Sequence, residues 1–443
     1  MLSLMLALCA GPPNLVLVVA DDCTWRDLGC YGGQAATPRL DTLAREGMRM
    51  DSAFQAAPMC SPTRHTIYTG LYPVRSGAYP NHTFVNDGVR SVVQYLRPRG
   101  YRLALSGKRH VAPREVFDFE YSGRGNNPDM RAIDGLMAEC RKSDTPFCLI
   151  ACSNEPHTPW DRGDPVAYPP RSLRLPPHWV DTPGTRKAYS RYLAEITVFD
   201  TQVGQIVDLL DRHNLTGDTL LMVVSEQGGS FPFAKWTLYD DGIRSGMLVR
   251  WPGRISPGST SDALVEYVDI LPTFLEAAGV EEPDTLEGES LLPLLRGERN
   301  EHKTFVFAMQ TSRGIHDGPE HFGRRSVRSA RYKPIRNLNG DVPFQGALTR
   351  QPFFGEWETA AGSDPDVAAL VRKVRRPPEW ELYDTRVDPY EQRNLAGQED
   401  LSEVRDRLAE ELAAWMESQG DRGLATEMEA LTRMKKPGRA SPK

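Results

Sequence analysis

The chain has 443 residues, enough for one large α/β domain and a smaller second one. Apolar residues make up 40% and charged residues 25%, the balance of an ordinary globular protein. The formal net charge of -6 gives no global basic field, which argues against nucleic acid as a partner and leaves any anionic substrate to be handled locally.

Residues 1–10 (MLSLMLALCA) are apolar, lack a charged leading segment and are too short to span a bilayer. Residues 1–13 read as the remnant of a signal peptide or a short leader. That points to a secreted or periplasmic protein with no stable membrane span; a cytoplasmic location stays open. The seven cysteines, Cys9, Cys23, Cys30, Cys60, Cys140, Cys148 and Cys152, show neither a zinc spacing nor a disulfide framework.

Residues 14–20 (NLVLVVA) form a continuous run of the kind expected for a parallel strand buried on both faces. Asp21 and Asp22 follow at once, at the edge where open α/β sheets bind ligands. Two adjacent carboxylates there repel each other unless a cation sits between them, and a hard divalent metal meets that need. A turn capped by Asp is the bland alternative, common for one Asp and rarer for two.

Thr37-Pro38 opens a helix that Gly47 closes, and residues 48–54 make a second strand leading to Cys60-Ser61-Pro62-Thr63-Arg64. Ser61 is a good N-cap and Pro62 suits the first helical position. Cys60 is therefore expected just outside a helix N-terminus, where backbone N–H groups and the dipole favour an anion. Arg64 adds a full positive charge in the first turn, and Gly70 closes the helix. The arrangement suggests chemistry on a sulfate or phosphate group. Taken alone, it reads equally well as a buried free cysteine beside a surface arginine.

Residues 91–96 predict a helix and residues 102–106 a strand, with Lys108 and His110 just past its end. Residues 147–153 (FCLIACS) predict a buried strand running into Pro156-His157-Thr158-Pro159, a stiff loop carrying His157. Residues 185–210 carry helical periodicity and are expected to cover the sheet. The strand predicted at 219–224 ends in Glu226 and Gln227, and Lys235 follows. Residues 247–250 predict a strand, 267–278 a helix and 290–295 a short helix. Each polar residue singly is more often a solvated loop residue; their recurrence at successive strand ends raises the functional reading.

After about Gly297 the apolar runs shorten while Arg and Gly increase. Residues 304–309, 326–336 and 381–384 predict a small antiparallel sheet, and residues 401–416 an amphipathic helix. Residues 435–443 read as a frayed tail. The organisation is a catalytic part at 14–300 and a C-terminal part at 301–443. Arg324, Arg325, Arg328 and Arg331 form either a basic rim for a polyanionic glycan or a solvated face of the small sheet.

With these residues placed, the chain resembles the formylglycine-dependent sulfatases of the alkaline phosphatase superfamily over nearly its whole length. The motifs are Val19-Ala20-Asp21-Asp22, Cys60-Ser61-Pro62-Thr63-Arg64 with Thr69-Gly70, Gly107-Lys108-Arg109-His110, Pro156-His157-Thr158-Pro159 and Leu382-Tyr383-Asp384 with Asp388-Pro389 and Asn394-Leu395. The resemblance implies an alkaline-phosphatase-like α/β fold: a mostly parallel central sheet flanked by helices, and a smaller C-terminal α+β subdomain with a short antiparallel sheet. It implies removal of sulfate from a sulfated carbohydrate. It implies that a formylglycine-generating enzyme oxidises Cys60 to formylglycine, and that one calcium ion is held by Asp21, Asp22, residue 60, Glu226 and Gln227.

The family pattern at the last pair is usually Asp followed by Asn or His. Here each member is longer by one methylene, while one carboxylate and one neutral oxygen are kept. In the implied mechanism Arg64 and the metal hold the sulfuryl oxygens, and Lys108, Lys235 and His157 neutralise the group. His157 or Lys235 protonates the leaving group, and His110 helps expel sulfate. Residues 108–121 (KRHVAPREVFDFEY) and 325–338 (RSVRSARYKPIRNL) most resemble the sulfamidase (heparan N-sulfatase) branch, which cleaves the N–S bond of N-sulfoglucosamine. A carbohydrate O-sulfatase, a phosphodiester or phosphonate ester hydrolase of the same superfamily, and a non-catalytic sulfated-glycan-binding protein are the competing readings.

Overall fold

In the computed structural model, which describes residues 11–123 and 125–434, the Val- and Leu-rich run forms strand β1 (Asn14–Ala20) within a nine-stranded sheet. Residues 1–10 of the expected leader and the tail at 435–443 lie outside the described residues. The other strands of this sheet are β2 (Met48–Phe54), β3 (Arg102–Gly107), β4 (Glu120–Ser122), β5 (Phe147–Cys152), β6 (Thr219–Ser225), β7 (Arg244–Arg250), β8 (Ser259–Ser261) and β9 (Val265–Glu266). Their order is β4-β3-β5-β1-β6-β7-β2-β8, with β9 beside β2. Only β7 runs against its neighbours β6 and β2.

The unbroken apolar runs have a direct cause. Along β1, Val16, Val18 and Ala20 enter one core while Leu15, Leu17 and Val19 enter the other, so both faces must be hydrophobic. Helices Pro38–Glu46, Met130–Ser143 and Pro183–Arg212 cover the first face. Helices Cys60–Thr69, Val92–Leu96 and Ile270–Ala277 cover the second. No helix among the described residues is long and apolar enough to cross a membrane.

The second sheet has four antiparallel strands, β10 (Val306–Gln310), β11 (Arg324–Arg328), β12 (Tyr332–Asn337) and β13 (Trp380–Asp384). One face packs Met309, Val327 and Leu382 against Leu408, Leu412 and Trp415 of the Ser402–Gln419 helix. The single run expected at 326–336 is two strands, because Ser329 and Tyr332 close a tight hairpin between them. The helix expected over 267–278 starts with a 3-10 turn, Tyr267–Asp269, where Glu266 and Asp269 cap each other's backbone. Helices Met130–Ser143, Pro352–Ala360 and Pro365–Arg375 were not anticipated.

Register, more than strand identity, positions the site. Val19 stands opposite Cys152, Gly107 opposite Cys152, and Ala20 opposite Ser225. The carboxyl ends of β3, β5, β1 and β6 are therefore level. Lys108, the loop to His157, Asp21 and Glu226 leave the sheet side by side, and β2 delivers Cys60 to the same edge.

Candidate active site

Cys60 does not sit outside its helix. The N-cap is Met59, with extended dihedrals (φ -149, ψ 139), and Cys60 opens the helix. Ser61 is turned inward, its hydroxyl facing His65 Nδ1, so it cannot cap. The free N–H of Ser61 donates instead to Asn81 Oδ1 at 3.2 Å. The cysteine is thus fixed in the first turn, where the helix dipole still favours negative charge. Burial, with Glu226 beside it, pushes the Cys60 thiol well above its ordinary value. A thiol so held is a poor nucleophile as it stands.

Asp21, Asp22, Cys60 and Glu226 each offer a ligand atom, and all four lie within 4.8 Å of one another. All four residues are buried. Asp22 adopts a left-handed backbone (φ 67), and its carboxylate lies in the same cluster as that of Asp21. Gln227 donates Nε2 to Asp22 Oδ1 at 2.6 Å and to the Cys60 sulfur at 3.2 Å, and its Oε1 is buried without a partner. A Cβ on Gly228 would fall 1.8 Å from the Asp241 carbonyl oxygen, so only glycine lets the chain pass there.

Cations enclose this acidic core. Arg64 is fully buried; its Nε lies 2.5 Å from Glu226 Oε2, out of line for a hydrogen bond, and its Nη1 donates to the Lys108 carbonyl. Lys108 is paired with Asp21, and Lys235 Nζ lies 2.6 Å from Asp22 Oδ2. Burial opposes charge on both lysines, yet the adjacent carboxylates raise their pKa values and keep them protonated. Burial alone would raise the Asp21 carboxyl, but Lys108, Glu226, His157 and Arg64 hold it well below the usual carboxylate range. Burial dominates at Glu226, whose pKa is raised despite Arg64.

His157 Nε2 stands 3.8 Å from Asp22 Oδ2 and Nδ1 faces the Thr158 carbonyl at 2.6 Å. His110 is one step removed: Nε2 meets His82 Nδ1 at 2.8 Å, and burial followed by Lys108 pushes its pKa well down. All ten expected residues, Asp21, Asp22, Cys60, Arg64, Lys108, His110, His157, Glu226, Gln227 and Lys235, are drawn to this edge. Sequence reasoning missed Ser230, which donates to Asp22 Oδ2 at 3.1 Å, and Tyr192, which donates to the Asp22 carbonyl. The Gly228-Gly229-Ser230 turn after Gln227 was a usable signal for the first; Tyr192 left none.

Of the four arginines expected at a rim, three are committed elsewhere. Arg325 pairs with Asp421 and Arg328 with Asp240, both buried, while Arg331 pairs with Asp384. Interior carboxylates claim Arg325 and Arg328, while Arg331 stays exposed beside Asp384, so the four do not form one free basic face.

The sulfatase family model matches residues 13–280. The chain belongs to the sulfatase family. A second model, the C-terminal region of N-sulphoglucosamine sulphohydrolase, matches residues 228–342 of this sulfatase. An ulvan-active sulfatase of Formosa agariphila is 33% identical over 420 residues, covering 92% of this chain and 81% of that one. The N-sulphoglucosamine sulphohydrolase of Homo sapiens is 29% identical over 467 residues, covering 94% and 92%. A solved structure of a protein in complex with its substrate D-glucosamine-2-N,6-O-disulfate shares the fold, with TM-score 0.71 and 20% identity over 93% of this chain and 99% of that chain. This sulfatase is accordingly a hydrolase of sulfate esters or sulfamates, on an alkaline-phosphatase-like α/β fold.

Proposed function

We propose that this sulfatase removes the N-linked sulfate of N-sulfoglucosamine or a closely related sugar, releasing sulfate and a free amine. Support comes from the match of the human sulphohydrolase across nearly the whole chain and from the match of the model named for the C-terminal region of N-sulphoglucosamine sulphohydrolase. The observation that carries the sulfuryl chemistry, common to N- and O-linked sulfate, is the buried cluster of Asp21, Asp22, Cys60 and Glu226 ringed by Arg64, Lys108 and Lys235. A cation and a sulfuryl group together satisfy the charges that this cluster otherwise balances only against itself.

The donor set fits calcium. Three carboxylates and the neutral Gln227 oxygen are hard ligands, and Gln227 Oε1 and Glu226 Oε2 are buried without hydrogen-bond partners. Asp21, Asp22, Glu226, Gln227 and residue 60 would hold the ion, which when bound supplies Lewis-acid stabilisation of the sulfuryl oxygens. Cys60, oxidised by a formylglycine-generating enzyme, supplies the nucleophilic hydroxyl as the aldehyde hydrate. Arg64 orients and neutralises the sulfuryl group from one side. Lys108 and Lys235, kept protonated by Asp21 and Asp22, do so from the others. His157 or Lys235 donates the proton to the departing nitrogen. His110, neutral at Nδ1 or Nε2, accepts a proton when sulfate leaves residue 60. The division into a catalytic part (14–300) and a C-terminal part (301–443), and export from the cytoplasm, belong to the same reading.

A carbohydrate O-sulfatase is the second reading, favoured by the ulvan-active relative at 33% identity. Incubation with N-sulfoglucosamine and with 3-O- and 6-O-sulfated glucosamine decides between them. Amine release from the first supports the proposal; alcohol release from the others, with the first untouched, overturns it.

A further inference from the structure

Arg324 is the one arginine of the four that forms no ion pair with a carboxylate among the described residues. It is 2% exposed and lies over Phe322 and Phe344 with its guanidinium carbon 4.8 and 5.2 Å from the ring centroids. Its Nε is buried without a hydrogen-bond partner. Burial lowers its pKa, and Tyr239, Glu381 and Tyr383 offset that only in part.

The neighbours of Arg324 repeat the pattern. Gln310 and Asn337 stand directly opposite it on β10 and β12, so all three side chains leave one face of the small sheet. Both Gln310 side-chain atoms are buried without partners, and so is Asn337 Oδ1, while Asn337 Nδ2 donates to Glu381 Oε1 at 2.8 Å and to the Pro378 carbonyl at 2.6 Å. Buried polar atoms are costly to leave unpaired, and four in one row leave hydrogen-bonding capacity that the protein itself does not fill. The same face carries Arg328 and Lys333, which reach Asp240, so it looks toward the catalytic sheet. Phe322 and Phe344 beneath Arg324 pack in one cluster with Met59 and Trp236, the neighbours in sequence of Cys60 and Lys235.

The row offers a full positive charge, further donors and two carbonyl oxygens. Hydroxyl groups donate and accept, and an anionic substituent satisfies a guanidinium. We propose that Arg324 is a specificity-determining residue that receives a second anionic group of the substrate, a sulfate or a carboxylate, while Gln310 and Asn337 bind the sugar hydroxyls. This rests on the sulfated-carbohydrate reading above.

The test compares wild type with Arg324→Met, and with Arg324→Gln as the smaller change. Substrates are an aryl sulfate, N-sulfoglucosamine, glucosamine 2-N,6-O-disulfate and N-sulfoglucosamine linked to a hexuronic acid. On a substrate with the second anion, kcat/KM falls roughly 10- to 100-fold, through KM, as expected for loss of a charged hydrogen bond. On the single-anion substrates it stays within about threefold. The disulfate and uronate arms show which anion is bound. The ligand-free variant melts at the same or a higher temperature, because an unpaired buried charge is removed. Equal loss on all substrates, no loss on any, or a variant that melts lower or fails to fold makes Arg324 a structural residue and overturns the inference. A wild-type protein that hydrolyses none of the four overturns the sulfated-glucosamine reading on which the inference rests.

Discussion

Gln227 Nε2 donates to Asp22 Oδ1 at 2.6 Å, while Gln227 Oε1 is buried without a partner. Half a turn of the amide would set an oxygen against a carboxylate, an arrangement that only a cation between them permits. Calcium should therefore stabilise the fold by about 2.7 kcal/mol at a hundredfold excess over its dissociation constant, and raise the melting temperature accordingly. Gln227→Leu should lose most of that gain. Identical melting curves in calcium and in chelator would remove the metal from the account.

Cys60→Ala should reduce turnover to background. Its cost in stability should stay within about 2 kcal/mol, since only one buried sulfur is lost. Mass spectrometry of the peptide holding Cys60, after co-expression with a maturing enzyme, should show the aldehyde in place of the thiol. Full activity with an unmodified thiol would contradict the proposed chemistry.

His157 approaches Asp22 from the loop after β5. If it protonates the leaving group, His157→Ala should lower kcat by roughly a hundred- to ten-thousand-fold on a sugar sulfamate. On an aryl sulfate with a good leaving group the loss should be far smaller. Equal losses on both would assign protonation to Lys235.

His178 is buried against Phe233, Trp179 and Tyr390, with Asp241, Arg26, Lys373 and Asp388 around it. Burial pulls its pKa down to about 4, against an unfolded value of about 6.5. Between these values the unfolded chain binds the extra proton, so this contribution is complete above pH 6.5 and lost as pH falls toward 4. The loss should be roughly 3 kcal/mol. Urea unfolding of wild type and His178→Gln should show a stability difference that shrinks across that window; a constant difference would rule it out.

Arg325 and Asp421 form a buried pair behind the small sheet. Arg325→Ala leaves that carboxylate alone and should destabilise by about 3–5 kcal/mol. KM values for any folded fraction should not move. This is the opposite signature to that expected of its neighbour Arg324, and circular dichroism melts with steady-state kinetics separate the two.

The family, the α/β class and the edge carrying Asp21, Cys60, Lys108, His157 and Glu226 were legible in the chain itself. Strands buried on both faces must be continuously apolar; Asp21 and Glu226 follow such runs at once and His157 stands on the loop after another, while Lys108 follows β3 directly and Cys60 lies a short loop beyond β2. Tertiary structure alone decided the partners. Whether an arginine pairs with Asp421 or with Asp240 depends on contacts between elements 88 or more residues apart, which local pattern cannot encode. The same holds for the cap of the Cys60 helix: Ser61 was the natural choice by residue type, but Asn81 from outside the helix bonded its N–H and left Ser61 to turn inward. Periodicity reports which side of an element is buried; it carries no record of what that side meets.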